Sequence, residues 1–408
     1  MCATLRVAVL SDLHYTQVGK GPYVPQAASA GGLDLMEELI KKFEREQQPS
    51  ADLLVCPGDI TDRANPQAFA AGWNQIRRLG AALGVKRLVA TTGNHEVQSR
   101  SSDEPVAAGN AEHAIDPLEF LVKEAGYPAI FPNPHQKWVY WGRGYEILHD
   151  DDSIIVLVNS CHYHVTLQDN EFERGRISEV ALEELKRDLA QLAADRPFRI
   201  LVLHHPPLPH EETGLELGRT PMHNGPALLK LLKDTELDWV VVHGHKHYHR
   251  LVRADGDAYQ PFVFGAASFG AMLRGSMASR TRNQFYIITL ETETDPLDAV
   301  RTSGSIQALH WSNSGWEETH SESFGLPSGC GFTWNSIELT SLATQIRSLL
   351  QSSGGNFLEW PEVVASIPKL RFLMPGQMVA LKGQLRRAKI SLVDEDSLFP
   401  RQLSISAP

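Results

Sequence analysis

Four histidines in seven residues, His243, His245, His247 and His249, follow the apolar run Leu237–Val242. Imidazoles crowd poorly without something to hold, because charged rings repel and neutral rings still need partners. His245 and His247 stand one residue apart, and Gly244 lets the chain bend as it leaves a strand, so both rings can converge on metal ions. Four more short stretches carry comparable side chains directly after apolar runs: Asp12-Leu13-His14, Gly58-Asp59, Gly93-Asn94-His95 and His204-His205-Pro206. Together the five stretches offer two carboxylates, an amide oxygen and several imidazoles. Oxygen and nitrogen donors without thiolate suit manganese, iron or zinc ions rather than a structural zinc site made of cysteines. One carboxylate can bridge two cations about 3.5–4 Å apart, the arrangement that hydrolyses phosphate esters. Gly58 and Gly93 stand where backbone must turn sharply or crowd such a centre.

Strands must bring those loops together. Leu5–Leu10, Ala51–Cys56, Arg87–Thr91, Ile154–Val158, Phe198–Leu203 and Leu237–Val242 read as buried strands. Helical spacing over 33–47, 66–83, 178–194 (capped by Ser178) and 225–234 separates them, which is the βαβ rhythm of an α/β chain. Open α/β sheets hold their ligands at strand C-terminal ends, where the five stretches lie. Arg250–Arg253, Pro261–Phe264 and Gln284–Leu290 read as antiparallel strands. Residues 97–144, rich in Pro, Gly, Asn and Ser, form an insert expected to fold over the site, with one helix near 116–125. Its aromatics, Tyr127 to Trp141, are expected mostly to pack.

The texture changes after Thr294. A strand over Ser303–Trp311, a partner over 312–318, a turn at Gly325–Gly331 and helices near 336–351, 357–367 and 375–389 are expected, with the last dozen residues frayed. The expected division is a catalytic domain over 1–293, able to fold alone, and an accessory region over 294–408.

Composition narrows the class. A 408-residue chain with 42% apolar residues can bury a sizeable core, and no run approaches the ~18 apolar residues of a membrane span. A net charge of −11, from 38 basic and 49 acidic residues, argues against a broad nucleic-acid-binding face. Cys2, Cys56, Cys161 and Cys330 lie far apart without metal-finger spacing, and the chain enters its first strand without a leader. Reduced thiols and a cytoplasmic location are therefore expected.

The ordered set Asp12-x-His14, Gly58-Asp59, Gly93-Asn94-His95-Glu96, His204-His205-Pro206 and Gly244-His245-x-His247 resembles the calcineurin-like metallophosphoesterases over residues 4–293. Gly-Asp alone is a weak signal; five motifs in order are specific. The resemblance implies a four-layer αββα sandwich in place of a simple doubly wound sheet, with the smaller, mainly helical C-terminal region beside it. It implies two transition metals (Mn, Fe or Zn). Asp12, His14, Asp59 and His247 would hold the first, and Asp59 as bridge, Asn94, His204 and His245 the second. His95 would contact the scissile phosphate and assist the leaving oxygen. The Asp59 and Asn94 loops look like those of serine/threonine protein phosphatases. The His204 and His245 motifs look more like bacterial phosphodiesterases of cyclic nucleotides, and the final histidine pair favours that branch. The expected activity is thus a phosphodiesterase on small or single-stranded nucleotide-type esters. The alternatives are a phosphoprotein phosphatase, a nuclease, or an effector or scaffold that binds a protein partner through 294–408.

The remaining polar residues have plainer readings. Glu96 orients His95 or is a solvated loop carboxylate, and Asp62 pairs with Arg63 to support the Asp59 loop. His205 is expected beside the ligands or facing substrate, His243 in the core, and His249 beyond the site. His162 and His164 resemble a metal pair, but the ligand count is already full. Arg274, Arg280 and Arg282 read as a solvated loop, and Asp150-Asp151-Asp152 as a hairpin turn.

Overall fold

Strands that are apolar on both faces need cover on both, and this chain supplies a second sheet on one side and helices on the other. A computed structural model describes residues 3–405 except 31–32, 47–49, 98–117, 165–170, 193–195, 211–214, 216–219, 255–258, 295–299, 313, 354–356 and 395–396. The strands in chain order begin β1 (Thr4–Val9), β2 (Tyr15–Gln17), β3 (Tyr23–Pro25), β4 (Leu53–Cys56), β5 (Arg87–Ala90), β6 (Tyr145–His149), β7 (Ser153–Val158), β8 (Phe198–Val202) and β9 (Val240–His243). They continue with β10 (Arg250–Arg253), β11 (Phe262–Gly265), β12 (Gln284–Thr294), β13 (Val300–Ser312), β14 (Gly315–Glu318), β15 (Gly331–Thr333), β16 (Phe357–Glu359), β17 (Ile390–Val393) and β18 (Gln402–Ile405). The helices of the first part are α1 (Leu35–Glu44), α2 (Pro66–Leu83), α3 (Glu119–Lys123), α4 (Pro134–Arg143), α5 (Glu171–Arg174), α6 (Glu179–Leu189), α7 (Gly225–Lys233) and α8 (Gly275–Arg280). Near the C-terminus follow α9 (Leu339–Ser352), α10 (Trp360–Ser366) and α11 (Pro375–Arg387).

One sheet runs β14-β13-β12-β1-β4-β5, with β15 on β13; the other runs β10-β11-β9-β8-β7-β6. In the first, β1, β4 and β5 are parallel, and in the second β7, β8, β9 and β11 are parallel. Alternation along the strands gives each sheet two apolar faces. Ile155 and Leu157 of β7 face the first sheet's core, while Val156 and Val158 face a separate cluster with Leu185 and Leu189 of α6 and Leu228 and Leu232 of α7. α1 and α2 pack with the first sheet's cluster. The layers are αββα, as the motifs implied.

Local chemistry sets the element ends. The Asn65 side chain accepts the Ala68 N–H at the start of α2, Pro66 needs no donor there, and Gly84 closes the helix at φ 73°. Ser178 caps α6 in the same way. The 150–152 turn joins β6 to β7. β6 and α4 are two elements the sequence did not suggest. α4 begins at the Asn133 cap followed by Pro134, inside the stretch read as irregular.

The chain after 294 builds both sheet and helices. β13 pairs with β12 at eleven positions, from Gln284↔His310 to Thr294↔Val300, so the expected division after 293 falls between two paired strands. Trp316 Nε1 donates to Leu35 O (2.7 Å) and Trp334 Nε1 to Gln260 O (3.0 Å), tying this region to earlier elements. The last residues are not frayed as far as Ile405. β18 lies between β16 and β17, and Leu403 is fully buried, because Gln402-Leu403-Ser404-Ile405 alternates as a strand should.

Candidate metal centre

The C-terminal ends of β1, β4 and β5 in one sheet, and of β8 and β9 in the other, release the five loops at one edge of the sandwich. Backbone bonds lace them together. Asp12 N–H donates to Gly58 O (3.0 Å), His14 N–H to Asp59 O (3.0 Å) and Gly244 N–H to His204 O (3.1 Å). The Asp12 carboxylate accepts the His245 N–H (3.0 Å), and Asp59 Oδ1 accepts the His95 N–H (2.8 Å).

The ligand atoms form two adjoining groups. In the first, His14 Nε2 is 3.0 Å from His247 Nε2, His247 Nε2 is 3.3 Å from Asp12 Oδ1, and His14 Nε2 is 3.7 Å from Asp59 Oδ2. In the second, His204 Nε2 is 3.3 Å from the same Asp59 Oδ2 and 2.9 Å from Asn94 Oδ1, which is 3.0 Å from His245 Nδ1. All seven expected ligand residues are therefore brought together, with Asp59 between the groups.

Two tautomers follow from the outer partners. A carbonyl only accepts, so His204 donates through Nδ1 to Pro57 O (2.9 Å) and His245 through Nε2 to Glu173 O (2.9 Å). Each ring thereby turns its other nitrogen toward the centre, the orientation that carbonyl partners give to metal-binding histidines. Asp12 and Asp59 are fully buried, and among the described residues their ion-pair partners are all histidines. Burial opposes protonation of His204, yet the Asp59 charge pulls it up to about 9. Burial, with His95 and His247 alongside, pushes His14 down to about 3, and burial holds His245 well below its usual range. Buried carboxylates compensated only by imidazoles, with ring nitrogens and carboxylate oxygens converging on the same two points, fit a pair of cations that would displace the His204 proton.

The backbone tells the same story. Asp12 (φ 56°), His14 (48°), Asp59 (54°), His245 (75°) and His247 (56°) all sit in the left-handed region, which non-glycine residues rarely occupy. A Cβ on Gly93 would lie 2.2 Å from Asp59 Oδ1, and one on Gly244 2.0 Å from Ser11 Oγ. Gly244 thus serves close approach of two loops rather than a bend.

His95 lies beside the first group, its ring edge-on to His14 at 4.6 Å, with Nδ1 2.9 Å from Asp62 Oδ1. Burial disfavours its charge, but Asp59 and Asp62 outweigh burial and raise its pKa. Asp62 therefore serves His95; Arg63 is 3.9 Å away and exposed, so the expected Asp62–Arg63 pair is not the main contact. Glu96 neither orients His95 nor lies in solvent. It is fully buried and accepts four backbone N–H groups: Asp59 (2.8 Å) and Gly93 (2.7 Å) on Oε2, Ile60 (2.6 Å) and Thr61 (3.0 Å) on Oε1. Burial and the Asp59 charge raise its pKa to about 7 against the pull of those donors. Its place directly after Asn94-His95 was the only sequence signal for this role.

Other residues had no such signal. Tyr140 of α4 lies with its hydroxyl 3.2 Å from Thr91 Oγ1 and Thr92 Oγ1, and Thr91 Oγ1 donates to Val158 O (2.6 Å), joining the two sheets beneath the Asn94 loop. The insert's described part thus supports the site from below, and 98–117 lie outside the described residues. His205 is buried with Nδ1 2.9 Å from Ser160 Oγ and its ring 4.4 Å from His245. His243 is a buried core histidine whose Nδ1 donates to Gly244 O (3.0 Å). His249 stacks on Tyr248, and Arg282 lies over Phe324 rather than in solvent.

Comparison with known proteins follows the same lines. The calcineurin-like phosphoesterase family model matches residues 5–249, more than half of the chain, and a calcineurin-associated wHTH model matches 335–387. No curated protein matches the sequence. Among solved structures, a dimetal phosphatase from Danio rerio is 13% identical with a TM-score of 0.44, covering 71% of this chain and 94% of that one. Purple acid phosphatase PPD1 from yellow lupin (Lupinus luteus) is also 13% identical with a TM-score of 0.44, covering 82% of this chain and 54% of its own. Phosphopantetheinyl hydrolase from Mycobacterium tuberculosis is 13% identical with a TM-score of 0.33, covering 64% and 89%. This chain therefore spans about half of the lupin enzyme. Every loop that builds the ligand cluster lies inside the matched span, and the chain belongs to the calcineurin-like phosphoesterase family of metal-dependent phosphoester hydrolases.

Proposed function

We propose that this protein is a dinuclear phosphodiesterase acting on small or single-stranded nucleotide-type esters. The observation that carries the dinuclear reading is Asp59 Oδ2, within 3.7 Å of His14 Nε2 and 3.3 Å of His204 Nε2. On this reading Asp12, His14, Asp59 and His247 hold one cation, and Asp59, Asn94, His204 and His245 hold the other. Manganese, iron or zinc suits these oxygen and nitrogen donors. When bound, such a pair supplies an ionised water near neutral pH and neutralises phosphoryl oxygens. His95 serves as the acid for the leaving oxygen: Asp62 accepts the Nδ1–H, and the Asp59 and Asp62 charges favour the doubly protonated ring, which has an Nε2 proton to give.

Two features support a compact substrate. The chain carries a net charge of −11, whereas duplex tracking needs several phosphate-contacting cations, and α5 sets the Glu173 carbonyl against His245 at the rim. Rates on bis-nitrophenyl phosphate, cyclic nucleotides, single-stranded DNA and duplex DNA, at low and moderate salt, test the reading. Fast, salt-sensitive cutting of duplex with little action on small diesters would replace it with a nuclease.

The wHTH match supports a second role, in which the C-terminal region binds a partner and directs the hydrolase. The order α9, β16, α10, α11, β17, β18 is helix, strand, two helices and two strands, as a winged helix requires. Among the described residues three cysteines are buried and free, which supports a reducing, cytoplasmic setting, and no described helix is long and apolar enough to cross a membrane.

A further inference from the structure

A second convergence of metal-binding atoms lies in the turn after β7, outside the seven residues assigned above. The turn is tight: Cys161 N–H donates to Asn159 Oδ1 (3.1 Å), His162 N–H to Asn159 O (3.2 Å), and His164 N–H to Cys161 O (3.0 Å). It brings Cys161 Sγ, a ring nitrogen of His164 and a ring nitrogen of His205 within 4.8 Å of one another. All three residues are buried, at 2%, 3% and 0% exposure. The sequence pairs His164 with His162 by spacing, but the fold pairs it with the thiol instead. His162 turns to a small cavity with Arg143 and Arg176.

The geometry suits an ion. Cys161 Sγ is 3.9 Å from His205 Nδ1, and the His164 and His205 rings are 5.1 Å apart. Zinc bonds of about 2.3 Å to sulfur and about 2.0–2.1 Å to nitrogen put two such ligands about 3.6–3.8 Å apart at tetrahedral to trigonal angles. Cys161-x-x-His164 sets two donors three residues apart in one tight turn, and His205 from the neighbouring strand end supplies the third. The wall beside the site is cut back to admit His205. Gly175 sits at φ +64°, and a Cβ there would lie 2.2 Å from His205 Nδ1. Ser160 Oγ accepts the His205 backbone N–H (3.2 Å) and meets Nδ1 at 2.9 Å, a contact that an ion bound at Nδ1 would replace.

We infer that Cys161, His164 and His205 form a separate site for a borderline-soft divalent cation, zinc by its donor set. Binding replaces the Cys161 S–H bond with a metal–sulfur bond and releases the proton to solvent. Such an ion would tie the β7 turn to the end of β8, and it would hold His205 against His204 and His245, whose rings lie 5.0 Å and 4.4 Å away.

Sulfur makes the test selective, because the proposed dinuclear centre contains none. The full-length protein is stripped with a chelator and reloaded with cobalt(II), then its metal content and near-ultraviolet absorption are measured. The expected result is about three cobalt ions per chain and a sulfur-to-cobalt charge-transfer band. Cys161→Ser should lose the band and about one ion, His164→Ala should weaken the retention of that ion, and Cys2→Ser should change neither. No such band in the wild-type protein at saturating cobalt overturns the inference without reliance on any variant. A Cys161→Ser protein that keeps the third ion also overturns it. Loss of the dinuclear centre alone would leave the band in place, so failure of one reading is distinguishable from failure of the other.

Discussion

Glu96→Gln exchanges one oxygen for an amide nitrogen with almost no change of shape. Each Glu96 oxygen accepts two backbone N–H groups, so either orientation of the new amide turns two buried donors toward a donor. An unsatisfied buried donor costs about 1–3 kcal/mol, which puts the substitution at about 2–6 kcal/mol. Against a total stability of roughly 5–15 kcal/mol, that loss is large. It also falls on Asp59, whose N–H is one of the four donors and whose left-handed backbone needs holding. The variant should therefore unfold at lower denaturant with an unchanged slope, and it should retain metal less well, by elemental analysis after dialysis. Glu96→Asp keeps both oxygens on a shorter arm and should lose part of the effect. A glutamine variant within about 0.5 kcal/mol of wild type, with full metal content, would refute the clamp, since surface substitutions cost no more than that.

Other consequences are as direct. Asp59→Ala should lose more metal than any other single ligand change, because Asp59 Oδ2 faces both groups; unchanged content by elemental analysis would count against a shared ligand. His95→Ala should keep its metals and lose about 10²–10⁴ in turnover, with a smaller loss for a nitrophenolate leaving group. Equal losses across leaving groups would leave phosphate orientation as its role. Truncation after 293 should give a chain that melts without cooperativity, because β12 loses its eleven paired positions on β13, whereas ending after Asn335 keeps that sheet. A sharp melt of the shorter chain would show that β13 is dispensable. Asp238 is buried between Arg301 (3.1 Å) and the Thr302 N–H (2.8 Å), and burial raises its pKa to about 6. The folded state then binds the extra proton, so its contribution to stability is present below about pH 4 and is lost as pH rises through about 6. Asp238→Asn should flatten that fall in melting temperature, and an unaltered slope would assign it elsewhere.

The ligands were legible because metal chemistry limits residue types, and strand ends limit where those types can converge. Asp12, His14, Asp59, Asn94, His204, His245 and His247 each follow an apolar run whose strand the structure contains. What surrounds them was not legible. Tyr140 looks like any packing aromatic until α4 brings its hydroxyl to Thr91 and Thr92. Glu173 acts through a carbonyl, which every residue possesses. β18 is short and pairs with β16, a partner distant in sequence, while β6 is also short although its partner β7 lies just across the 150–152 turn. Asp62 was read with its chain neighbour Arg63, although the partner that matters, His95, is 33 residues on.

The five left-handed ligand residues explain why the loops resist local reading. Each such backbone costs of order 1–3 kcal/mol and persists only where its surroundings over-determine it. Here the surroundings are the other loops. Asp12 and His14 donate N–H groups to the Asp59 loop, Glu96 draws the Asp59 and Gly93 backbones together, and Asp12 receives the His245 N–H. No single loop carries the information for its own conformation, since each is held by two or more others. The consequence is cooperative. A change at Glu96 or Gly93, neither of which offers an atom to a cation, should disturb the ligands of both groups together, because both groups hang on the same Asp59 backbone.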